Sequence, residues 1–100
     1  MSRWATGYID ALKRGETVMF TVDFSSMEPR IMSGQGVTVE PVQARDLAPG
    51  DVVLCEIGTR QYLHIVKALQ VGGCLIGNNK GNINGVARHE NIYGRLVEKN

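Results

Sequence analysis

The sequence predicts a mainly β domain, a coiled β-sheet barrel preceded by one helix. Two observations carry this prediction. Apolar residues repeat with helical spacing only before Gly15, and the segments that follow are short, rich in Val and Ile, and separated by turn residues. The chain has 100 residues, which is the size of one domain. We therefore expect a single domain over residues 1–100, with a helix at 2–14 and a β body at 17–97.

The predicted helix has recognisable signals at both ends. Ser2 is a plausible N-cap, because a serine hydroxyl can accept a hydrogen bond from the first turn. Lys13 and Arg14 place positive charge where the helix dipole favours it, and Gly15 suits the position after the helix. The apolar residues share one face, which we expect to pack on the domain: Trp4, Ala5, Tyr8, Ile9 and Leu12.

The β body is predicted from runs with β-branched residues between turns. Gly34-Gln35-Gly36 and Pro49-Gly50-Asp51 are turn signals. A stretch over 77–85, rich in glycine and asparagine, predicts a loop. The expected strands lie near residues 17–22, 37–42, 52–57, 61–69, 74–76 and 92–97.

Composition excludes several classes of function. The formal net charge is +1, so the chain lacks the basic excess that holds nucleic-acid phosphates, and we expect no nucleic-acid partner. No apolar run approaches the roughly 20 residues that cross a bilayer, and no secretory signal is evident. We therefore expect a cytoplasmic protein that does not bind membranes.

No motif in the sequence indicates a cofactor or a metal site. His, Cys, Asp and Glu do not cluster with metal-ligand spacing, and no phosphate-binding glycine loop is present. Cys55 and Cys74 form no metal motif, and in a chain without an export signal we expect them to be reduced.

Ser26 and His64 form the candidate chemical pair. Ser26 lies in a turn after a strand, where a hydroxyl can be displayed rigidly, but serine needs a base to become a nucleophile. His64 lies in a strand-like run, and its ordinary pKa suits proton transfer near neutral pH. From the residues alone, a structural turn and a structural histidine remain open alternatives. His89 lies in a polar run and is expected at the surface.

Several segments, in the same order, resemble the sequence boxes of the LexA/signal-peptidase superfamily. Ser26-Met27-Glu28-Pro29 resembles the nucleophile box, in which serine is followed by Met-x-Pro. His64-Ile65-Val66 resembles the box of members that use histidine instead of lysine as the base. The other similar segments are residues 34–37, 47–53, 77–79 and 92–97, so the resemblance covers about residues 17–97.

This resemblance implies a soluble serine endopeptidase with a Ser26/His64 dyad. It would cleave another protein or process itself, and its peptide substrate would bind as an added strand. The backbone of Ser26, helped by Ser25, would face the oxyanion, while Met27 and Pro29 would shape the turn and the pocket wall. Lys67 is an alternative base, although the strand pattern turns it away from His64.

Three residues depart from the family pattern and support a second hypothesis. Phe24 replaces a small residue, Gln35 replaces an aspartate, and Asn78 replaces an aspartate that would help to hold the base. Self-cleaving relatives cut at Ala-Gly or Cys-Gly, and neither dipeptide occurs here. The alternative is a catalytically weak or inactive module that forms a homodimer or binds a regulatory protein.

Overall fold

One α-helix and seven strands are found in residues 3–100, the part of the chain that this computed structural model describes. Helix α1 spans Thr6–Lys13. The prediction of a mainly β fold with one N-terminal helix is confirmed within this range. The strands are β1 (Val18–Thr21), β2 (Gly36–Pro41), β3 (Val52–Ile57), β4 (Arg60–Gln70), β5 (Gly73–Gly77), β6 (Ile83–Arg88) and β7 (Ile92–Lys99).

The strands form one antiparallel sheet in the order β1-β2-β7-β3-β4-β5-β6. Strand β7 is the last in sequence but lies between β2 and β3, and it joins the β1–β2 pair to the meander β3–β6. The sheet curls, so that a Cβ atom at Gly85 of β6 would lie 3.6 Å from Ile57 of β3.

The expectation of a barrel is wrong, because the sheet is open. Within residues 3–100 no ladder joins the edge strands β1 and β6. The physical reason is that β1 has only four residues, and the chain then leaves the sheet as a loop over 22–35. This loop meets the β5–β6 loop through a single backbone hydrogen bond, from the Asn79 N–H to the Ser26 carbonyl (3.2 Å).

Both faces of the sheet are packed, because residues alternate between two apolar clusters. On β3, Val52 and Leu54 belong to the cluster that includes the α1 residues Ile9 and Leu12. Val53 on the same strand belongs to the second cluster, on the other face. The free thiols of Cys55 and Cys74 are buried in that second cluster, and burial raises the pKa of Cys55 to about 12.

Helix α1 begins later than the predicted 2–14. The proposed N-cap, Ser2, lies outside the described residues. Ala5 is the observed N-cap, and no side chain caps the helix. Tertiary contacts hold the preceding turn, because the Trp4 indole N–H donates to the Gln61 carbonyl and the Ala5 N–H donates to the Gln61 side chain. Gly15 follows the helix with φ +87°, as its C-terminal position predicts.

Strand β6 was missed by the sequence analysis, which predicted a loop over 77–85. Gly77 in this stretch and Gly73 before it permit close approach between two strands rather than forming a long loop. A Cβ at Gly77 would lie 2.7 Å from the Asn82 carbonyl, and one at Gly73 would lie 2.4 Å from the Ala87 carbonyl. Such contacts exclude a side chain at either position, so the pairing of β5 with β6 requires these glycines.

No helix in residues 3–100 combines the length and apolar character needed to cross a membrane.

The packing of α1 on β7 depends on Gly94. A Cβ there would lie 2.7 Å from the Glu40 carbonyl and 3.0 Å from the Leu12 side chain. We expect Gly94→Ala to lower the free energy of unfolding by about 1–3 kcal/mol, through overpacking. Gly7→Ala is the matched control, because nothing lies within 4 Å of that position and alanine favours the helix. Urea denaturation measures both, and equal stability of the two variants would contradict the prediction.

Candidate active site

The turn that carries Ser26 is anchored in the core on one side. The side chains of Met27 and Ile31 are fully buried in the first apolar cluster. Two backbone hydrogen bonds shape the turn, from Glu28 N–H to the Ser25 carbonyl and from Ile31 N–H to the Met27 carbonyl. Ser26 directly precedes the buried Met27 and is partly exposed, so it lies at the surface on a fixed support.

His64 is fixed by its position in the long strand β4. It lies opposite Val53 of β3, and its side chain is buried. The neighbouring ring of Tyr62, two residues earlier on the same strand, lies 5.0 Å away between ring centroids. The paired backbone and the buried side chain both limit the freedom of the imidazole.

The two predicted residues meet. Ser26 Oγ lies 2.9 Å from His64 Nε2, which is hydrogen-bond distance. This contact joins the loop after β1 to β4, 38 positions away in the sequence. An imidazole nitrogen at this distance can accept the serine proton.

Asn84 is the third member of the site, and the sequence analysis missed it. Its Oδ1 atom lies 2.7 Å from His64 Nδ1. Because a carboxamide oxygen can only accept, this contact assigns the ring proton to Nδ1 and leaves the Nε2 lone pair directed at Ser26. A hydroxyl, an imidazole and a hydrogen-bond acceptor that orients the imidazole are also the three groups of the catalytic triads found on unrelated folds.

Asn78, which the family pattern placed near the base, has a different role. Its buried side chain accepts hydrogen bonds from the backbone N–H groups of Lys80 (2.8 Å) and Asn82 (3.0 Å). It thereby shapes the loop that leads into β6 and so positions Asn84. The neighbouring Asn79 connects the same loop to the turn that carries Ser26, since its side chain donates to the Glu28 carbonyl (3.3 Å).

The electrostatic setting keeps the imidazole neutral. Burial disfavours the charged ring and lowers the pKa of His64 below its ordinary value of 6.5. The hydrogen bond to Asn84 acts in the opposite direction, and the positive charge of Lys67 adds to the lowering. The net result is a ring that is unprotonated at neutral pH and can accept a proton.

The remaining candidate residues lie outside this contact. The alternative base Lys67 is exposed, at an irregularity where β4 pairs with β5, and the hydroxyl of Ser26 is bonded to His64 instead. Ser25 and Pro29 are exposed, while Met27 is buried in the core. His89 is exposed, as expected.

The other two departures from the family pattern also have defined places. Gln35 holds its own turn, since its side chain accepts a hydrogen bond from the Met32 N–H (3.0 Å). Phe24 is partly buried against Trp4, with 5.5 Å between ring centroids, and lies beside the groove described next.

An open groove of about 700 Å³ runs from the Ser26–His64 pair along the first half of β4. Its apolar lining comes mainly from aromatic rings, and two charged residues, Asp23 and Arg60, also line it. The other lining residues are Trp4, Phe24, Ser26, Gln61, Tyr62, Leu63 and His64. Ser26 therefore lies in the wall of a partly apolar depression.

The strand that lines this groove has a free edge. Strand β4 pairs with β3 from Arg60 to Ile65, whereas its ladder with β5 begins only at Ile65. The Gln61 carbonyl points away from β3, as its hydrogen bond from the Trp4 indole N–H (3.2 Å) shows. Backbone groups alternate in direction along an antiparallel strand, so the N–H and carbonyl of Leu63 point the same way, into the groove.

Within residues 3–100, no group of three or more His, Cys, Asp or Glu side chains is arranged to hold a metal ion. Comparisons with protein-family models, with curated proteins and with solved structures gave no significant match.

Asn84 can be tested through the titration of His64. We expect Asn84→Asp to raise the pKa of His64 by about 1 or more, because a carboxylate stabilises the imidazolium. Asn84→Ala should lower the pKa, because the hydrogen bond that raises it is lost. NMR titration of the ring protons measures both changes. Asn82→Ala, at an exposed asparagine of the same loop, is the control, and an equal effect from it would refute the role of Asn84.

Proposed function

We propose that this chain is a serine peptidase in which Ser26 is the nucleophile, His64 the general base and Asn84 the residue that orients the base. The observation that carries the proposal is the continuous set of contacts, 2.9 Å from Ser26 Oγ to His64 Nε2 and 2.7 Å from His64 Nδ1 to Asn84 Oδ1. A buried neutral imidazole between a hydroxyl and an amide oxygen is suited to accept the hydroxyl proton.

Acylation follows from these contacts. His64 Nε2 removes the Ser26 proton while Oγ attacks the peptide carbonyl, and the carbonyl electron pair moves onto oxygen. When the tetrahedral intermediate collapses, the C–N bond breaks and the imidazolium gives its proton to the leaving amine. Asn84 Oδ1 accepts a hydrogen bond from His64 Nδ1–H during the whole reaction and so stabilises the imidazolium that forms.

Deacylation repeats the sequence with water. His64 takes a proton from a water molecule, the hydroxide oxygen attacks the acyl carbon, and the C–Oγ bond breaks as Ser26 recovers its proton. The products are a new carboxyl end and the free serine. One base serves both half-reactions, because it returns to the neutral form at the end of each.

The oxyanion needs a hydrogen-bond donor near Ser26. Within residues 3–100, the backbone N–H of Ser26 donates no hydrogen bond to another group, so it is available for this purpose. A preorganised donor of this kind contributes about 10²–10³-fold to the rate in other serine hydrolases. The exposed Ser25 lies next to it and can assist.

An extended peptide fits the groove by strand addition. The backbone N–H and carbonyl of Leu63 face the groove on the free edge of β4, and a peptide strand would pair with them. This pairing would place a peptide carbonyl near Ser26, because Leu63 precedes His64. The substrate we propose is therefore a segment of another protein, or of this chain, in extended conformation.

Membership of the LexA/signal-peptidase superfamily, with a cytoplasmic location, belongs to the same proposal. It is supported by the order of the sequence boxes and by the mainly β fold that brings the serine and histidine boxes together. The second hypothesis, a module that binds a partner without catalysis, predicts the same fold but an unreactive Ser26.

Covalent labelling separates these two functions. We expect a fluorophosphonate to label Ser26, identified by mass spectrometry of the peptide that contains it. Ser26→Ala should abolish labelling and His64→Ala should slow it by about 10²–10⁴-fold, the usual share of a general base. The double variant should be little worse than either single one, because the pair acts as a unit.

One lysine variant and one histidine variant serve as controls for this experiment. Lys67→Ala and His89→Ala should leave labelling almost unchanged, since neither side chain contacts Ser26. If the wild-type chain is folded and Ser26 is not labelled, the peptidase proposal fails and the interaction module replaces it.

The pH dependence of labelling tests the base. The reaction needs neutral His64, whose pKa lies below 6.5 because of burial. As pH falls, the rate should therefore reach half of its maximum only at a pH below 6.5. A decline centred well above pH 7 would instead indicate a different base, such as Lys67.

A further inference from the structure

Asn84 is the only asparagine of the sequence that is followed by glycine. The side-chain amide of an asparagine can be attacked by the backbone nitrogen of the next residue, and glycine leaves that nitrogen accessible because it has no side chain. The other internal asparagines all precede larger residues: Asn78, Asn79, Asn82 and Asn91. The residue that orients His64 is therefore also the asparagine whose sequence context most favours deamidation.

The backbone at Asn84 departs from a regular strand. In the pairing with β5, Gly85 lies opposite Ile76, and the next pair is Ile83 with Gly77. Asn84 is thus an extra residue between two paired positions, and such a bulge disrupts the ladder locally. Gly85 itself has φ +134°, a conformation that residues with side chains rarely adopt.

The edge position of β6 makes the Gly85 amide accessible to local opening. Within residues 3–100, β6 is the last strand of the sheet and pairs with β5 alone. An edge strand with a bulge opens at a smaller free-energy cost than a central strand, because fewer contacts are broken. The Gly85 nitrogen can therefore leave the ladder while the rest of the sheet stays folded.

The Asn84 side chain is also placed for this reaction. Its Oδ1 lies 2.7 Å from His64 Nδ1, and a donor at this oxygen stabilises the negative charge that develops there during attack on Cγ. Across residues 3–100, no hydrogen bond from Asn84 Nδ2 is found and no buried side-chain nitrogen lacks a partner, so Nδ2 is open to solvent. The group that leaves as ammonia is thus not held by the protein.

We propose that Asn84 is a self-modification site, at which the folded chain converts its own amide into a carboxylate beside His64. The Gly85 nitrogen gives its proton to solvent and attacks Asn84 Cγ, while the carbonyl electron pair moves onto Oδ1. As this pair returns, the Cγ–Nδ2 bond breaks, and Nδ2 takes a proton from solvent and leaves as ammonia. Water then adds to Cγ of the cyclic imide, and the bond between Cγ and the Gly85 nitrogen breaks, which restores the Gly85 N–H.

The fold favours aspartate over isoaspartate as the product. Water that attacks the imide at Cγ leaves the backbone unchanged, whereas attack at the main-chain carbonyl gives isoaspartate and a longer backbone. The strand pairs on both sides of Asn84 fit the original backbone length. The new carboxylate therefore takes the place of the amide at His64 Nδ1, where it stabilises the imidazolium more strongly than the amide does.

The experiment follows the folded wild-type chain during incubation at mildly alkaline pH. Trypsin cleaves after Lys80 and Arg88 and so releases residues 81–88, a peptide that contains both Asn84 and Asn82. Mass spectrometry of its fragments assigns the change from amide to acid to one asparagine, and Asn82 is the internal control because it is exposed and precedes a larger residue. We expect Asn84 to be converted before any change is detected at Asn82.

Three outcomes of this incubation overturn the proposal. The first is an unchanged Asn84, and the second is conversion only in urea, when the chain is unfolded. The third is a product that contains isoaspartate alone, identified by its chromatographic difference from the same peptide of Asn84→Asp.

The titration of His64 in the same samples tests whether the new carboxylate lies beside the ring. By NMR, we expect the converted chain to have a His64 pKa about 1 or more above that of the fresh chain, and equal to that of Asn84→Asp. Asn84→Gln is the matched control, because its longer side chain keeps the amide but closes the imide ring poorly, and its His64 pKa should stay constant on incubation. An unchanged His64 pKa in the converted chain also overturns the proposal. These measurements do not depend on the reactivity of Ser26, so they test this inference separately from the proposed function.

Discussion

Strand β4 pairs with β3 over its first half and with β5 over its second half, and the geometry of the site depends on this offset. Its pairing with β3 begins at Arg60, whereas its pairing with β5 begins at Ile65. His64 is the last residue before the second ladder begins, so it has the rigidity of a paired strand and the access of an edge. The groove exists because β5 does not extend along the residues of β4 that precede Ile65.

The orienting group is an amide rather than a carboxylate, and this choice affects the charge of the site. A carboxylate beside the imidazole would stabilise its charged form and raise its pKa, whereas the Asn84 amide holds the ring without adding charge. The cost is weaker stabilisation of the imidazolium during proton transfer. The proposed catalytic site therefore combines an imidazole that is neutral at neutral pH with modest support for its charged form.

The sequence alone was enough to predict that Ser26 and His64 form a pair, but not to predict the residues around them. The serine box and strand alternation identified both residues, because each signal is local. Asn84 was hidden in a run of glycine and asparagine that resembles a loop, and only the close approach of β5 and β6 makes it a strand. Trp4 was assigned to a helix face, since the sequence cannot show that Gln61 holds it in a turn.

The position of β7 has a consequence for the order of events during synthesis. Ser26 belongs to the loop between β1 and β2, whereas His64 and Asn84 belong to the β3–β6 meander, and β7 joins the two parts. On the ribosome, β7 emerges after both of the parts that it connects. The sheet can therefore hold Ser26 and His64 together only after β7 has been translated, so that the contact between them forms late in synthesis rather than as each segment appears.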